Sequence, residues 1–153
     1  MKMKRKKIRW KKKKETISSL KKKLDSVFSK YIRLKYADPN WYVACYTCWK
    51  RMPRKEIQCW HFFSRRHNAT RRDEDNCRPQ CYSCNIMKWW NYIVYTRKMI
   101  KEYWEKFIDE LERKAHSVKR YTKQELKEMI EYYEKKVEEL EKNLNTKKKS
   151  EWK

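Results

Sequence analysis

Four of the six cysteines in this sequence form two identical pairs, Cys45-x-x-Cys48 and Cys81-x-x-Cys84. Each pair can present two thiolates within one turn, and two pairs complete the closed tetrahedral coordination of a structural zinc ion. With no secretion signal in the sequence, this spacing indicates metal ligands rather than disulfides. The sequence therefore predicts a structural zinc ion. The alternative is a thiol-rich core without metal. The remaining Cys59 and Cys77 are interpreted as small buried apolar residues.

One stretch between the pairs combines other reactive side chains. Residues 58–76, QCWHFFSRRHNATRRDEDN, place one histidine behind a tryptophan, then arginines, and an asparagine at the end. On residue types alone, His61 is a metal ligand, a base or a buried ring, and these alternatives stay open.

The charge of the chain indicates a polyanionic partner. Lysine and arginine number 43 against 20 acidic residues, a formal net charge of +23, and such a field attracts phosphate polymers. The alternative is a solvated face or tail. The first fourteen residues contain no acid and predict a disordered basic arm. Because no signal peptide or run of about 20 apolar residues is present, we expect a cytoplasmic protein without a membrane partner.

Amphipathic helices are predicted at both ends of the chain. Residues 16–37 carry an apolar stripe at steps of three and four. A late helix starts at a T-x-x-E capping box, Thr122 to Glu125, and has a similar stripe. The two stripes fit an antiparallel intramolecular pair, which we favour, or a dimer seam.

The chain is thus divided into five parts. We expect a basic arm (1–15), an N-terminal helix (16–37), a compact core (38–95), C-terminal helices (96–146) and a tail (147–153). Within the core, EIQCWHFF predicts a short strand, residues 64–80 a polar loop, and Ser83 the start of a helix. Two further helices are expected, around Tyr92–Tyr103 and Glu105–Ala115.

Several motifs in order resemble the phage recombination endonuclease family called NinG or Rap. They are the first cysteine pair, HFFSRRHNATRRDEDN, QCYSCN, NYIVYTRKMI and YTKQEL, and the similarity runs from roughly Asp25 to Leu144. The resemblance implies an HNH, or ββα-metal, nuclease that cleaves branched DNA such as Holliday junctions or D-loops. The implied fold is α+β, with a small zinc-stapled ββα-metal core flanked by long amphipathic helices.

The resemblance also implies roles for individual residues. His61 takes the place of the first HNH histidine, and a neutral imidazole there can take a proton from the attacking water. Asn76 would hold that ring in the useful tautomer. Asn85 would bind Mg²⁺ or Mn²⁺ with help from Asp75, because hard cations prefer oxygen ligands. In the alternative interpretation, Asn85 only caps the helix. Phosphate contacts are expected from Arg65, Arg66, Arg71 and Arg72.

The resemblance and the positive charge also indicate partners and two rival functions. The expected partner is DNA of branched form, and the protein is expected to be a monomer or a homodimer through its terminal helices. One rival function is a non-catalytic zinc-dependent DNA-binding module. Another is an HNH nuclease acting on ordinary duplex DNA.

Tryptophans occupy positions at which glycine is expected. The chain has no glycine and eight tryptophans, although average usage predicts about eleven glycines. Trp41 ends an Asp-Pro turn, Trp49 follows a cysteine pair, Trp89-Trp90 fall where the helix that starts at Ser83 should end, and Trp104 falls at a helix break, all sites that favour glycine. The family that the chain resembles has glycine at the places of Trp49, Trp60, Trp90 and Trp104. One hypothesis is that UGA codons read as tryptophan here are read as glycine in the source. The alternative is a protein that favours aromatic residues.

Overall fold

The computed structural model describes residues 15–87 and 91–150, which form long helices around two small sheets. In chain order the elements are α1 (Ile17–Lys35), β1 (Tyr42–Ala44), β2 (Arg51–Pro53), β3 (Gln58–His61), β4 (Cys77–Gln80), a π-helical turn (Ser83–Met87), α2 (Asn91–His116) and α3 (Lys123–Ser150). The architecture is α+β. Residues 1–14 of the expected basic arm, residues 88–90 and residues 151–153 lie outside the described residues.

Local hydrogen bonds start α1. The Oγ1 of Thr16 accepts from the backbone N–H of Ser19 at 3.1 Å, and the Oγ of Ser19 accepts from the N–H of Thr16 at 2.9 Å. This capping box has serine where glutamate or glutamine is usual, so the sequence pattern did not reveal it. The helix ends at Lys35, two residues before the expected boundary at 37.

The helices α1 and α3 pack on each other within one chain and run in the same direction. Ion pairs join Glu15 to Lys127, Lys23 to Glu134 and Lys30 to Glu141. The partner's number on α3 rises with the number on α1, so the prediction of an antiparallel pair is wrong. Short loops are what make neighbouring helices antiparallel, and here both sheets and α2 separate the pair. The two apolar stripes meet in one buried cluster.

The core contains two antiparallel strand pairs, β1 with β2 and β3 with β4. In the second pair Gln58 lies opposite Gln80, and His61 lies opposite Cys77. The expected polar loop therefore ends at residue 76, and residues 77–80 form a strand instead. The sequence Cys-Arg-Pro-Gln gave no alternating pattern, because all four residues of this strand are buried.

A backbone break divides α2 at Trp104, where φ is 66° and ψ is 160°. This is the break expected between two successive helices. The first half of α2 packs on the core through Tyr95, which lies in a buried cluster with Phe62. A guanidinium N–H of the buried Arg78 donates to Oε1 of Glu102 at 2.9 Å, which ties β4 to α2.

The capping box of α3 is confirmed. The N–H of Thr122 donates to Oε2 of Glu125 at 2.7 Å, and the N–H of Glu125 donates to Oγ1 of Thr122 at 3.1 Å. The helix runs to Ser150, so the expectation of a tail is wrong over residues 147–150. Three lysines lie in this last turn, where positive charge is favourable. Within the described ranges, no helix is both long and apolar enough to cross a membrane.

Positive φ occurs at three described non-glycine positions, and each of them is a tryptophan. The angles are 66° at Trp41, 62° at Trp49 and 66° at Trp104. Glycine adopts this region freely, whereas a bulky side chain is strained there. Trp89 and Trp90, where glycine is also favoured, lie outside the described residues. The three positive-φ positions are the Asp-Pro turn, the position after the first cysteine pair and the helix break that the sequence indicated. Trp60 lies in β3 and is not among them.

Candidate active site and cysteine cluster

The two cysteine pairs meet at the ends of the strands. Cys45 and Cys48 lie in the turn between β1 and β2, Cys81 directly follows β4, and Cys84 lies in the π-helical turn. Their four sulfur atoms are all within 4.8 Å of one another, and together they could hold a metal ion.

The geometry of the cluster fits zinc. The Sγ atoms of Cys48 and Cys81 are 3.9 Å apart, and a tetrahedron with Zn–S bonds of about 2.3 Å has edges of about 3.8 Å. Burial raises the pKa of Cys45, but backbone N–H donors from Cys48, Cys81 and Thr47 outweigh it and lower this pKa to about 7. Burial instead raises the pKa of Cys81 and of Cys84, so these two thiols would lose their protons only when the ion binds.

His61 lies at the end of β3 and is held by the loop that joins β3 to β4. Its Nε2 donates to the carbonyl oxygen of Arg71 at 2.9 Å, since a carbonyl oxygen can only accept. Nδ1 therefore carries the lone pair, and Nε of Arg65 donates to it at 3.3 Å. The backbone thus fixes which ring nitrogen can accept a proton or bind a metal.

The surroundings of His61 keep its imidazole neutral. Burial is the largest cause, followed by the positive charge of Arg65, and together they lower the pKa of His61 to about 4. The carbonyl of Arg71 and the carboxylate of Asp25 act in the opposite direction but do not prevail. At neutral pH the imidazole is therefore neutral, and its Nδ1 lone pair accepts the hydrogen bond from Arg65.

Asn76 does not contact the His61 ring through any of its hydrogen bonds. Its Oδ1 accepts from the N–H of Phe63 at 2.7 Å, and its Nδ2 donates to the carbonyl oxygens of Phe63 and Thr70 at 3.0 and 2.9 Å. The expected tautomer-holding role thus belongs to the Arg71 carbonyl. Asn76 acts one step away, because it fixes Thr70, the residue next to Arg71.

A cleft of about 670 Å³ opens beside His61 and brings it together with Asn85. The Nδ2 of Asn85 donates to Oε1 of Gln58, so its amide oxygen is the atom that could bind a cation. The N–H of Asn85 also donates to the carbonyl oxygen of Cys81 at 2.9 Å, which connects the cleft to the cysteine cluster.

Asp75 is not among the residues that line this cleft. Its Oδ1 accepts a hydrogen bond from the hydroxyl of Tyr103 at 3.3 Å, on the side of the strands that faces α2. Glu56 is the one carboxylate among the described lining residues. It lies in the turn before β3, and no spacing motif singled it out. Glu56 therefore replaces Asp75 as the acidic candidate for a cation ligand beside Asn85.

The four arginines of the loop divide into two pairs. Arg65 and Arg66 are exposed, and Arg65 lines the cleft. Arg71 instead makes two contacts with Asp25 of α1, at 3.1 and 2.6 Å, and the buried Arg72 reaches the same carboxylate at 2.7 Å. The phosphate-binding role expected for Arg72 is not compatible with its burial, and Arg71 is engaged in holding the loop against α1.

Two cations of the cleft were missed by sequence reasoning. Arg33 at the end of α1 and Lys55 in the turn before β3 line the cleft together with Arg65. Only the packing of α1 against the strands brings Arg33 to His61, so no local pattern could have identified it. Lys55 precedes β3 directly, but no spacing motif singled it out. The indole of Trp60 lines the same cleft and packs on Tyr95, with ring centroids 4.3 Å apart.

The chain matches a protein-family model over most of its length. The family described as "Bacteriophage Lambda NinG protein" matches residues 1–143. No curated protein and no solved structure matches the chain.

Proposed function

The chain belongs to the bacteriophage lambda NinG family of recombination-associated phage proteins, and from this premise we propose that it is a metal-dependent endonuclease for branched DNA. The observation that carries the proposal is a neutral histidine, His61, in a cationic cleft that also contains Asn85. The branched substrate is inferred from the recombination association of the family.

The order of the elements around the cleft supports this proposal. Two antiparallel strands, β3 and β4, are followed by a short helical turn, with His61 at the end of the first strand and Asn85 in the turn. This is the order of parts expected for a ββα-metal nuclease.

The residues of the cleft divide the chemistry among them. Once the exposed Arg65 turns from Nδ1 to a DNA phosphate, Nδ1 of His61 accepts a proton from the water that attacks phosphorus. The Arg71 carbonyl holds the ring by its Nε2–H. Arg33, Lys55 and Arg65 bind the phosphates that flank the scissile bond. The amide oxygen of Asn85 and the carboxylate of Glu56 would hold Mg²⁺ or Mn²⁺, which when bound stabilises charge on the scissile phosphate and the leaving oxygen.

The four-cysteine cluster has a structural role in this proposal. A zinc ion held by Cys45, Cys48, Cys81 and Cys84 would join the β1–β2 turn to the end of β4. Because Asn85 is bonded to the Cys81 carbonyl, the same ion would fix one wall of the cleft. Zinc would also supply folding free energy that a small core lacks.

A second candidate function is a zinc-dependent DNA-binding module without catalysis. One observation favours it: the cleft offers a single carboxylate among its described lining residues, and hard cations usually have more acidic ligands. Both functions predict salt-sensitive DNA binding, so binding alone does not separate them.

Cleavage of a labelled four-way junction, beside a linear duplex of matched sequence, tests the proposal. Mg²⁺ is added or withheld while zinc is kept, because EDTA would remove both metals. Mg²⁺-dependent cleavage of the junction in preference to the duplex supports the proposal. Binding without cleavage identifies the non-catalytic module, and equal cleavage of both substrates identifies an ordinary duplex nuclease.

A further inference from the structure

Cys59, His61 and Cys77 form a second group of metal-binding side chains. Their ligand atoms all lie within 4.8 Å of one another. Cys59 and His61 are two residues apart on β3 and therefore face the same side of the sheet, and His61 lies opposite Cys77 in the strand pairing. Cys59 and Cys77 are both buried, as expected for small apolar residues. Burial alone does not explain why they lie next to His61.

We propose that Cys59, His61 and Cys77 bind a Zn²⁺ ion distinct from the four-cysteine site. Two thiolates and one imidazole suit zinc and do not suit Mg²⁺, which prefers oxygen ligands. The hydrogen bond from Nε2 of His61 to the Arg71 carbonyl is the contact that usually orients a zinc-binding histidine, and it leaves Nδ1 as the ligand atom. Each thiol loses its proton to solvent when the ion binds.

The fourth coordination position has room. The cleft of about 670 Å³ is lined by both Cys59 and His61, and a water molecule could enter from it. The guanidinium of Arg65, now 3.3 Å from Nδ1, must move aside, and the exposure of this side chain permits that movement.

The proposed ion would have a regulatory effect on the activity proposed above, and this effect rests on that proposed function. Zinc on Nδ1 uses the lone pair that would take the proton from water. Excess Zn²⁺ is therefore expected to inhibit Mg²⁺-dependent cleavage at least tenfold by occupying the base.

Zinc stoichiometry tests the site without reference to cleavage. Wild-type protein, Cys59→Ala and Cys77→Ala are each equilibrated by dialysis with the same buffered concentration of free Zn²⁺, and the zinc bound per chain is measured. We expect two ions in the wild type and one in each variant. After Co²⁺ substitution, each variant should lack the thiolate-to-cobalt absorption that the second site contributes in the wild type. One ion in the wild type, or two in either variant, overturns the proposal. Should a variant fail to fold, the wild-type stoichiometry and cobalt spectrum decide alone.

Inhibition is measured as the ratio of junction cleavage rates without and with added Zn²⁺. We expect a ratio of at least ten in the wild type. In Cys77→Ala the two rates should differ by less than twofold. Equal ratios in the two proteins overturn the regulatory effect even if the ion is present. A protein that binds two zinc ions but never cleaves DNA would contradict the proposed nuclease function and leave the second zinc site supported.

The backbone angles at three tryptophans support a second inference, which does not depend on the proposed zinc site. We infer that the natural protein has glycine at positions 41, 49 and 104. These are the positive-φ positions of the described residues, at 66°, 62° and 66°, and the chain otherwise contains no glycine. A chain that had selected tryptophan for its ring would not place it repeatedly where a Cβ is strained. A UGA codon read as tryptophan in this sequence and as glycine in the source accounts for all three.

Mass spectrometry of the protein from its native host tests this inference. One tryptic peptide, from Tyr36 to Lys50, contains positions 41 and 49, and a second, from Glu102 to Lys106, contains position 104. The same peptides from a recombinant chain with tryptophan at these positions serve as mass standards. Glycine at all three positions is the expected result, and any other residue at any one of them overturns the inference.

Discussion

The cysteine cluster and the His61 cleft share the same small core but are assembled in different ways. The cluster draws its four donors from two short turns, and its sulfur atoms surround a closed site. The cleft draws its side chains from the end of α1, the turn before β3, β3 itself and the π-helical turn, and it is open to solvent. The contact between Asn85 and Cys81 joins the two sites.

This difference predicts an asymmetry between the two regions. A change in the closed cluster should disturb both the fold and the cleft, because the cluster holds the strands and Asn85. A change in the open cleft should disturb binding or chemistry and leave the fold intact. The following substitutions test this asymmetry in order of decreasing effect.

Loss of one zinc ligand should have the largest effect. Cys84→Ser removes a buried thiolate from a site worth on the order of 10 kcal/mol in structural zinc domains, so we expect the core to lose both zinc and cooperative unfolding. Zinc content and thermal unfolding measured by circular dichroism report this loss. Tyr82→Ser, at an exposed neighbour, is the control and should retain zinc. If a zinc-free Cys84→Ser protein still unfolds cooperatively, the fold does not depend on zinc in the four-cysteine cluster.

Removal of Asp25 should have the next largest effect. Asp25→Ala leaves the buried guanidinium of Arg72 without its carboxylate, and breaking a buried pair in this way costs about 3 kcal/mol. Urea denaturation measures the loss. Glu134→Ala breaks an exposed pair with Lys23 instead and should cost about 0.5 kcal/mol. Equal costs for the two variants would mean that Asp25 does not anchor the loop.

Relief of backbone strain beside the cluster should stabilise the protein slightly. Trp49 has φ of 62° and an exposed ring, so Trp49→Gly should raise the free energy of unfolding by about 1 kcal/mol. Trp49→Ala removes the ring but keeps the Cβ, so it should give little of this gain. The difference between these two variants in urea unfolding isolates the contribution of the backbone. A stabilisation by alanine as large as that by glycine would argue against strain.

A change at the rim of the cleft should leave stability unchanged and weaken DNA binding. Arg65→Ala removes one exposed cation next to His61, so the slope of log affinity against log salt should fall by about one. Arg113→Ala, on α2 and paired with Glu110, is the matched control. A slope reduced equally by both substitutions would mean that the cleft is not the DNA-binding surface.

How far the sequence predicts this molecule depends on the range of each interaction. The cysteine pairs, the Thr122–Glu125 cap and the break at Trp104 depend on residues a few positions apart, and the structure has all of them. The parallel direction of α1 and α3 depends on the whole intervening chain, so the stripes could not indicate it.

The arginines of the loop show the same limit within the candidate site. Arg65 and Arg72 have equivalent residue type and context in the sequence, yet one lines the cleft and the other is buried against α1. The difference comes from Asp25, which lies far away in the chain. Spacing could propose four cations for the loop but could not determine which of them face solvent.

The most direct test of the central claim is the rate of junction cleavage by His61→Ala in Mg²⁺, with His67→Ala as the control. His67 lies in the same loop, with Nδ1 3.0 Å from the carbonyl oxygen of Ala115, and it is outside the cleft lining. We predict that His61→Ala retains the zinc of the four-cysteine site and junction binding but cleaves at least about 100-fold more slowly, the usual contribution of a positioned base. Wild-type cleavage by His61→Ala, in a preparation shown to be free of host nuclease, would contradict the account.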